Sequence, residues 1–266
     1  MIRSDRESRQ PAVINLPYFW DRMARSPRKL LALDYDGTLA PFRLERMQAY
    51  PYPGIPALLE RITMRGDTTL AIISGRPLAE LAILLGSFNG ILVGSHGIEK
   101  RSASGDIVTK TPGKEQLKGL AEAQEAIQMR GLEQLLEIKP ASLALHTRGL
   151  DGAASARLED GVARLWQRIA AKSGLEVRKF NGGVEIRAIG WNKGRALAEI
   201  EEAMRPPVTC VFVGDDDTDE DAFERIRDTG FGIRVGPPDT PSAARGFLPD
   251  IPAVRDFLRA WSELAP

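Results

Sequence analysis

Short apolar runs recur along the chain, and most of them stop abruptly on glycine or polar residues. Residues 30–34 begin with four apolar positions without alternation, the pattern of a strand that is buried on both faces of a sheet. Similar runs at residues 69–73, 90–94, 209–213 and 230–235 are separated by stretches with helical spacing. Strands that alternate with helices predict an α/β fold built on a parallel sheet.

One long interval, residues 98–188, interrupts this alternation. Neighbouring strands of a continuous α/β core need a much shorter connection, so the interval predicts a separate layer. Apolar residues at helical spacing predict two helices, around residues 117–127 and 158–169. Strand-like stretches at residues 142–147 and 175–187 flank the second helix, so we expect a small α/β lid of two strands, each with a helix.

Two carboxylates one residue apart, Asp34 and Asp36, end the first apolar run, and Gly37 follows them. A glycine lets the chain turn sharply, which leaves both acids at the carboxyl end of a central strand, where open parallel sheets bind ligands. The D-x-D-G spacing also opens many calcium loops, but those loops carry further acids and a glutamate at fixed offsets. Residues 38–42 cannot complete such a loop.

A second acidic cluster, Gly214 to Asp221, ends the run at residues 209–213. Six acids in seven positions would repel one another on a bare surface unless a cation bound them. Carboxylates at the ends of two parallel strands therefore predict one magnesium site, because this small, hard ion prefers oxygen ligands. An acidic helix start, stabilised by the helix dipole, accounts for some of these residues but not for the whole cluster.

Two further turns carry candidate phosphate-binding groups. Ser74-Gly75-Arg76 precedes the helical run at residues 78–85, and a hydroxyl with backbone amides at such a junction forms an anion site. Lys193 enters at the start of another helical run, where it could meet both a phosphate and the Asp34 carboxylate. Each turn taken alone is more often a plain turn than a site.

Taken together and in order, these four stretches resemble the haloacid dehalogenase superfamily of phosphotransferases. The resemblance implies that Asp34 is a nucleophile that forms an aspartyl-phosphate, while Asp36 protonates the leaving alkoxide and deprotonates the attacking water. It also implies that Ser74 and Lys193 help Mg²⁺ to neutralise the phosphoryl oxygens. The implied Mg²⁺ ligands are Asp34, the Asp36 carbonyl and Asp215, with Asp216 and Asp219 orienting them from behind.

A longer set of stretches narrows the resemblance to the trehalose-phosphatase family. These stretches are Asp34–Pro41, Ser74–Arg76, Gly94–Gly97, Leu145–Arg148, Val184–Arg187, Trp191–Gly194 and Gly214–Asp221. The similarity spans roughly residues 15–260 and implies a Rossmann-like parallel-sheet core, residues 15–110 and 188–266. It implies a smaller inserted α/β cap domain at residues 111–187, and we expect residues 1–14 to form a disordered tail.

The same resemblance implies that the substrate is trehalose 6-phosphate, which is hydrolysed to trehalose and phosphate. The implied substrate contacts are Thr38, Gly75, Arg76, His96, His146, Arg148 and Glu185. Neither histidine has a partner at metal-ligand spacing, so zinc is not expected. A salt-bridged strand surface is the alternative for the last three residues and for Arg187. Gly183 stands where the family commonly has a bulkier residue, which leaves the detail of the cap pocket open.

Other functions stay open on the sequence alone. A phosphatase for another sugar phosphate, such as sucrose phosphate or mannosylglycerate phosphate, would use the same chemistry. A mutase that passes the phosphoryl group to a second hydroxyl is a further alternative. So is a catalytically idle metal-binding regulator, although a non-enzyme needs none of the nucleophile, the acid, the serine and the lysine.

Composition sets the remaining limits. The chain has 266 residues, 43% of them hydrophobic, enough for one large core or two modest ones. Lys plus Arg and Asp plus Glu both total 36, so we expect no binding to nucleic acid or to an anionic membrane. Met1–Gln10 has no signal-peptide core, and Cys210 is the only cysteine. We therefore expect a cytoplasmic monomer.

Overall fold

The computed structural model describes residue 16 and residues 18–180, 182–205 and 207–264, so the predicted tail, residues 1–14, lies outside the described residues. The strands are β1 (Lys29–Leu33), β2 (Thr68–Ile73), β3 (Ile91–Gly94), β4 (Glu99–Arg101), β5 (Ile107–Thr109), β6 (Leu136–Lys139), β7 (Ser142–His146), β8 (Leu175–Phe180), β9 (Gly183–Ala188), β10 (Thr209–Gly214), β11 (Phe231–Val235) and β12 (Gly246–Leu248). The helices are α1 (Phe19–Arg25), α2 (Ile55–Thr63), α3 (Leu78–Leu85), α4 (Lys114–Gln128), α5 (Gly152–Ser173), α6 (Lys193–Ala203), α7 (Glu220–Arg225) and α8 (Ile251–Ser262).

Eight strands form the larger sheet, in the order β12-β11-β10-β1-β2-β3-β4-β5. The first six in this order run parallel, and β4 and β5 add antiparallel strands at one edge. Leu31 at the centre of β1 pairs with Val211 on one side and Leu70 on the other. All five side chains of β1 are buried, which explains why its apolar run does not alternate.

Side chains of β1 alternate between two apolar clusters, one on each face of the sheet. Leu31 and Leu33 pack with residues of α1, α2, α3 and α8. Leu30 and Ala32 pack with residues of α6 and α7 on the other face. Helices on both faces of a mostly parallel sheet are the α/β architecture that the sequence predicts.

The interval after β5 folds as a second sheet, the cap sheet, with four antiparallel strands in the order β6-β7-β9-β8. The expectation of two strands is wrong. The stretch 175–187 makes two strands rather than one, because the chain reverses at Gly182, whose φ of +94° suits glycine. The additional strand β6 has four residues, too few for a period of two to stand out in the sequence.

The two faces of the cap sheet differ in polarity. On one face Leu143, Leu145, Val184 and Ile186 pack with α4 and α5 around the buried Trp166. Because successive side chains of a strand point to opposite faces, the other face carries polar residues. These include Glu137, Lys139, Ser142, His146, Glu185 and Arg187. The polar face meets the core sheet, since Glu185 contacts His96, which follows β3.

The cap sheet joins the core through short connections. Ile189–Asn192 separate β9 from α6, and Arg187 near the end of β9 donates to Asp221 of α7 at 3.2 Å. The boundaries at residues 110/111 and 187/188 stay a proposal, which assigns all of the cap sheet except Ala188 to the cap. Among the described helices, none combines the length and the apolar composition that a membrane span requires.

Candidate active site

Four strands of the core sheet end in polar residues at one edge. Asp34 follows β1, Ser74 follows β2, His96 lies shortly after β3, and Asp215 follows β10. These strands are adjacent and parallel, so their carboxyl ends bring the four side chains to the same edge. Ligands of open α/β sheets bind at this edge.

Lys193 reaches this edge from the first position of α6. Asn192 caps the helix by accepting a hydrogen bond from the Arg195 amide at 2.8 Å. Lys193 Nζ donates to Asp34 Oδ1 and to Asp219 Oδ1, both at 2.7 Å. Burial opposes its charge, but the two carboxylates outweigh burial and raise the pKa of Lys193. The lysine therefore keeps its charge beside the Asp34 carboxylate.

Asp34, Asp215 and Asp219 each offer an oxygen, and these three oxygens lie within 4.8 Å of one another. Burial, with added repulsion from Asp219, raises the pKa of Asp215 to about 7. Burial also raises the pKa of Asp34 well above its usual range, although Lys193 acts against this. Carboxylates held this close are stabilised by a bound cation, and a donor set made only of oxygens fits a small, hard ion such as Mg²⁺.

This carboxylate cluster differs from the ligand set that the sequence implied. Asp219 belongs to it, although the resemblance implied only an orienting role. The short 3-10 helix Asp217–Asp219 turns this side chain back towards β10, where its Oδ2 accepts a hydrogen bond from the Asp216 amide at 2.9 Å. The carboxylate of Asp36 faces Arg76 instead, and a ligand role for the Asp36 carbonyl stays a prediction.

The turn after β1 positions Asp215. Gly37 has a φ of +82°, and a Cβ atom at this position would lie 2.1 Å from Asp215 Oδ2, so the turn requires glycine. Thr38 Oγ1 donates to Asp215 Oδ1 at 3.2 Å. The structure gives no support to the implied substrate contact of Thr38, because its side chain is fully buried and holds the carboxylate instead.

Asp36 and Arg76 form a two-point ion pair. Arg76 Nε donates to Asp36 Oδ2 at 2.6 Å, and Nη2 donates to Oδ1 at 2.7 Å. The third nitrogen, Nη1, donates to the Arg46 carbonyl at 3.0 Å and to Glu80 at 3.3 Å. Burial acts against the charge, but the contacts with Asp36 raise the pKa of Arg76. The pair holds the Asp36 carboxylate at the edge of the site.

The turns after β2 and β3 support each other. The Arg76 amide donates to Ser74 Oγ at 3.2 Å, and the His96 amide donates to the Ser74 carbonyl at 3.1 Å. A Cβ atom on Gly75 would lie 2.6 Å from His96 Nε2, so glycine is needed for the imidazole to approach. Ser95 and His96 both have positive φ, 48° and 55°, which non-glycine residues adopt uncommonly.

Glu185 is the centre of the polar face of the cap sheet. It accepts from Ser142 Oγ at 2.8 Å and from Lys139 Nζ at 3.0 Å, and its other oxygen lies 3.1 Å from His96 Nε2. Burial disfavours the carboxylate, but Lys139 and His96 more than offset this and hold the pKa of Glu185 well below its usual range. Burial lowers the pKa of His96, so a neutral imidazole faces an ionised glutamate.

A second carboxylate, Glu137, lies on the neighbouring strand β6. It contacts His146 Nε2 at 2.7 Å and forms an ion pair with Arg46 from the core loop after β1. Although burial acts in the opposite direction, His146 and Lys139 lower the pKa of Glu137 to about 2. Arg148, just after β7, places its guanidinium 4.6 Å from the ring centre of Phe42 in the same core loop.

One cleft between core and cap joins these groups and is open to solvent. The sequence-predicted residues that line it are Asp34, Asp36, Ser74, Gly75, Arg76, His96, His146, Arg148, Glu185, Lys193 and Asp216. Thr38, Asp215 and Asp219 lie behind this lining. The lining residues that the sequence did not indicate are Phe42, Arg46, Glu137, Lys139, Phe180 and Thr218.

An aspartate on a central strand, a buried lysine and an acidic cluster meet at the ligand-binding edge of the core sheet. The fold that carries them is of the haloacid dehalogenase type. A trehalose-6-phosphate phosphatase C-terminal domain from C. albicans has a TM-score of 0.83 at 22% identity, covering 96% of this chain and 99% of that chain. The predicted fold class is therefore confirmed.

The trehalose-phosphatase family model matches residues 32–250, and the chain belongs to this family. A probable trehalose-phosphate phosphatase from Sinorhizobium fredii is 32% identical over 240 residues, covering 88% of each protein. A bifunctional trehalose-6-phosphate synthase/phosphatase from Thermoproteus tenax is 30% identical over 241 residues. The match covers 88% of this chain but only 32% of that larger protein. The family resemblance that the sequence motifs indicated is confirmed.

Proposed function

We propose that this chain is a Mg²⁺-dependent phosphatase that hydrolyses trehalose 6-phosphate to trehalose and phosphate. The observation that carries the proposal is one cleft with two ends of different chemistry. Asp34, Ser74 and Lys193 lie at the core end, whereas Glu185 and Lys139 lie at the cap end. The core end suits a phosphoryl group, and the cap end suits the hydroxyls of a sugar.

At the core end, Asp34 attacks phosphorus and forms an aspartyl-phosphate, which divides the hydrolysis into two easier displacements. Asp36, once it has left its ion pair with Arg76 and gained a proton, protonates the leaving sugar oxygen in the first displacement, and it takes a proton from water in the second. Lys193 keeps Asp34 in place and, with the Ser74 hydroxyl, stabilises the charge on the phosphoryl oxygens.

Asp34 and Asp215 would hold the Mg²⁺ ion together with the predicted Asp36 carbonyl, and Asp219 lies within reach of the same site. The ion supplies positive charge that stabilises the phosphoryl oxygens as charge develops on them. Thr38 and Gly37 keep Asp215 in position for this role.

At the cap end, we assign substrate recognition to Glu185 and its neighbours. A phosphoryl group is alike in every sugar phosphate, so discrimination must come from groups that contact the sugar. The ionised Glu185 and Glu137 are held by Lys139, His96 and His146 in a fixed array of hydrogen-bond donors and acceptors. Such an array can read the pattern of hydroxyls on a disaccharide.

A substrate panel tests the proposal. Phosphate release is measured for trehalose 6-phosphate, glucose 6-phosphate, sucrose phosphate, mannosylglycerate phosphate and p-nitrophenyl phosphate, with Mg²⁺ present and with excess chelator. We expect the highest kcat/KM for trehalose 6-phosphate and loss of activity in chelator. A higher kcat/KM for another sugar phosphate would reassign the substrate, and full activity in chelator would exclude the metal.

A further inference from the structure

The row of residues that ends the cap sheet beside the pocket contains a glycine between two rings. His146 of β7 and Phe180 of β8 both pair with Gly183 of β9. A Cβ atom on Gly183 would lie 2.6 Å from Phe180 Cζ and 2.2 Å from the Leu145 carbonyl oxygen. The missing side chain therefore lets the two rings meet across β9, with centres 5.5 Å apart in an edge-to-face arrangement.

The preceding glycine makes similar room for Arg148. A Cβ atom on Gly182 would lie 2.5 Å from Arg148 Cγ. The side chain of Arg148 passes over this glycine, and its guanidinium lies over the Phe42 ring at 4.6 Å. The face of the Phe42 ring is thus occupied by a cation–π contact between cap and core. The ring of Phe180 has a different neighbour, His146.

Phe180 has a different setting from the other residues of the pocket lining. Among the described residues that line the pocket, Phe42 and Phe180 are the two phenylalanines, and most of the others are charged. Phe180 is half-buried, and its ring meets that of His146 edge to face. A pyranose ring presents C–H faces as well as hydroxyls, and an array of charged groups recognises only the hydroxyls.

We propose that Phe180 is a specificity-determining residue whose ring packs against an apolar face of the substrate sugar, and that Gly183 positions this ring. This inference rests on the proposed function, because it assumes a sugar phosphate in the pocket. The competing explanation is purely structural: an aromatic side chain that covers a glycine in a neighbouring strand stabilises the sheet. The structural explanation predicts no difference between substrates.

The test compares Phe180→Leu, which keeps apolar volume but removes the ring, with Phe180→Tyr, which keeps the ring. Gly183→Ala is unsuitable, because the new Cβ atom would meet the Leu145 carbonyl. For Phe180→Leu we expect kcat/KM for trehalose 6-phosphate to fall by about 3- to 10-fold, the range that an aromatic contact contributes. Hydrolysis of p-nitrophenyl phosphate should stay within about 2-fold, and Phe180→Tyr should keep both activities within about 2-fold.

The matched control is Phe231→Leu, which changes a half-buried phenylalanine of the core sheet far along the chain from the cap. We expect it to lower Tm without changing the ratio of the two activities. Equal losses on both substrates, or wild-type kinetics in Phe180→Leu, would leave Phe180 with the structural role alone and overturn the inference.

Failure of the proposed function gives a different result. If the wild-type chain does not hydrolyse trehalose 6-phosphate but hydrolyses another sugar phosphate, the proposed substrate is wrong. The ratio of kcat/KM for that sugar phosphate to kcat/KM for p-nitrophenyl phosphate, measured in wild type and in Phe180→Leu, then decides the role of Phe180. A wild-type chain that hydrolyses p-nitrophenyl phosphate and no sugar phosphate overturns both proposals.

Discussion

The carboxylates at the two ends of the pocket are buried alike but have opposite pKa shifts. At the core end, burial raises the pKa of Asp34 and of Asp215, the latter to about 7. At the cap end, where burial acts in the same direction, a hydrogen bond with His146 and the charge of Lys139 lower the pKa of Glu137 to about 2, and Lys139 holds that of Glu185 below its usual range. The cap thus provides cations for its own carboxylates. The core has Lys193 for several acids, so its carboxylate cluster needs a further positive charge from outside the protein.

This contrast fits what each end would bind under the proposed function. A self-compensated array such as Glu185 with Lys139 and His96 is already stable and can receive an uncharged sugar without gaining or losing charge. An undercompensated cluster attracts a cation, and the cation then attracts a phosphate.

The largest expected effect comes from Asp34→Asn. The amide keeps the shape of the side chain and its contact with Lys193 but cannot attack phosphorus, so kcat should fall by several orders of magnitude with every substrate. Single-turnover phosphate release measures this, and Tm checks the fold. A variant that keeps a tenth of wild-type turnover would exclude the aspartyl-phosphate route through this residue.

The next prediction concerns the negative charge of the carboxylate cluster at the core end. Asp215→Asn should raise the Mg²⁺ concentration needed for half-maximal activity by about 10-fold or more, because the ion loses a charged ligand. The same change should raise Tm of the metal-free protein at pH 8, since it removes repulsion. Asp217→Asn, an exposed acid of the same segment, is the control and should do neither. A lower metal-free Tm in Asp215→Asn would show that the cluster is compensated after all.

Glu185→Gln tests the cap end. A charged hydrogen bond contributes roughly 1.5 to 3 kcal/mol, so kcat/KM for trehalose 6-phosphate should fall by about 10-fold or more. Hydrolysis of p-nitrophenyl phosphate should hardly change, because it does not use the sugar array. Glu122→Gln, on the exposed side of α4, provides the control. Equal losses on both substrates would place Glu185 among residues that support the fold.

The last prediction concerns the pH dependence of stability. A pKa raised to about 7 in the folded state means that Asp215 favours folding at low pH, and that this contribution is lost as pH rises from about 4 to about 7. A pKa lowered to about 2 means that Glu137 favours folding above about pH 4.5, a contribution lost as pH falls towards 2. The free energy of unfolding of the metal-free protein should therefore fall by on the order of a few kcal/mol between pH 4 and 8. Adding Mg²⁺ at pH 8 should restore this stability. Denaturant unfolding at both pH values, with and without Mg²⁺, measures this, and a flat metal-free profile would contradict it.

The sequence predicted the core end better than the cap end, for physical reasons. A strand such as β1, buried on both faces, needs an unbroken apolar run, and helix α3 ends where Gly86 stops its apolar pattern, so both are visible in the chain. The cap end depends on pairing between short strands. Glu137 and Lys139 acquire their positions only because β6 pairs with β7, and Phe42 lies in a loop with no period to read.

The connection Ile189–Asn192 limits how far the end of β9 can move away from the core. Five backbone steps join Ala188 to Lys193, and a fully stretched chain spans about 18 Å over them. Lys193 is anchored by two carboxylates, so if the cap lifts from the core, the end of β9 at Ala188 stays within this span of the active site.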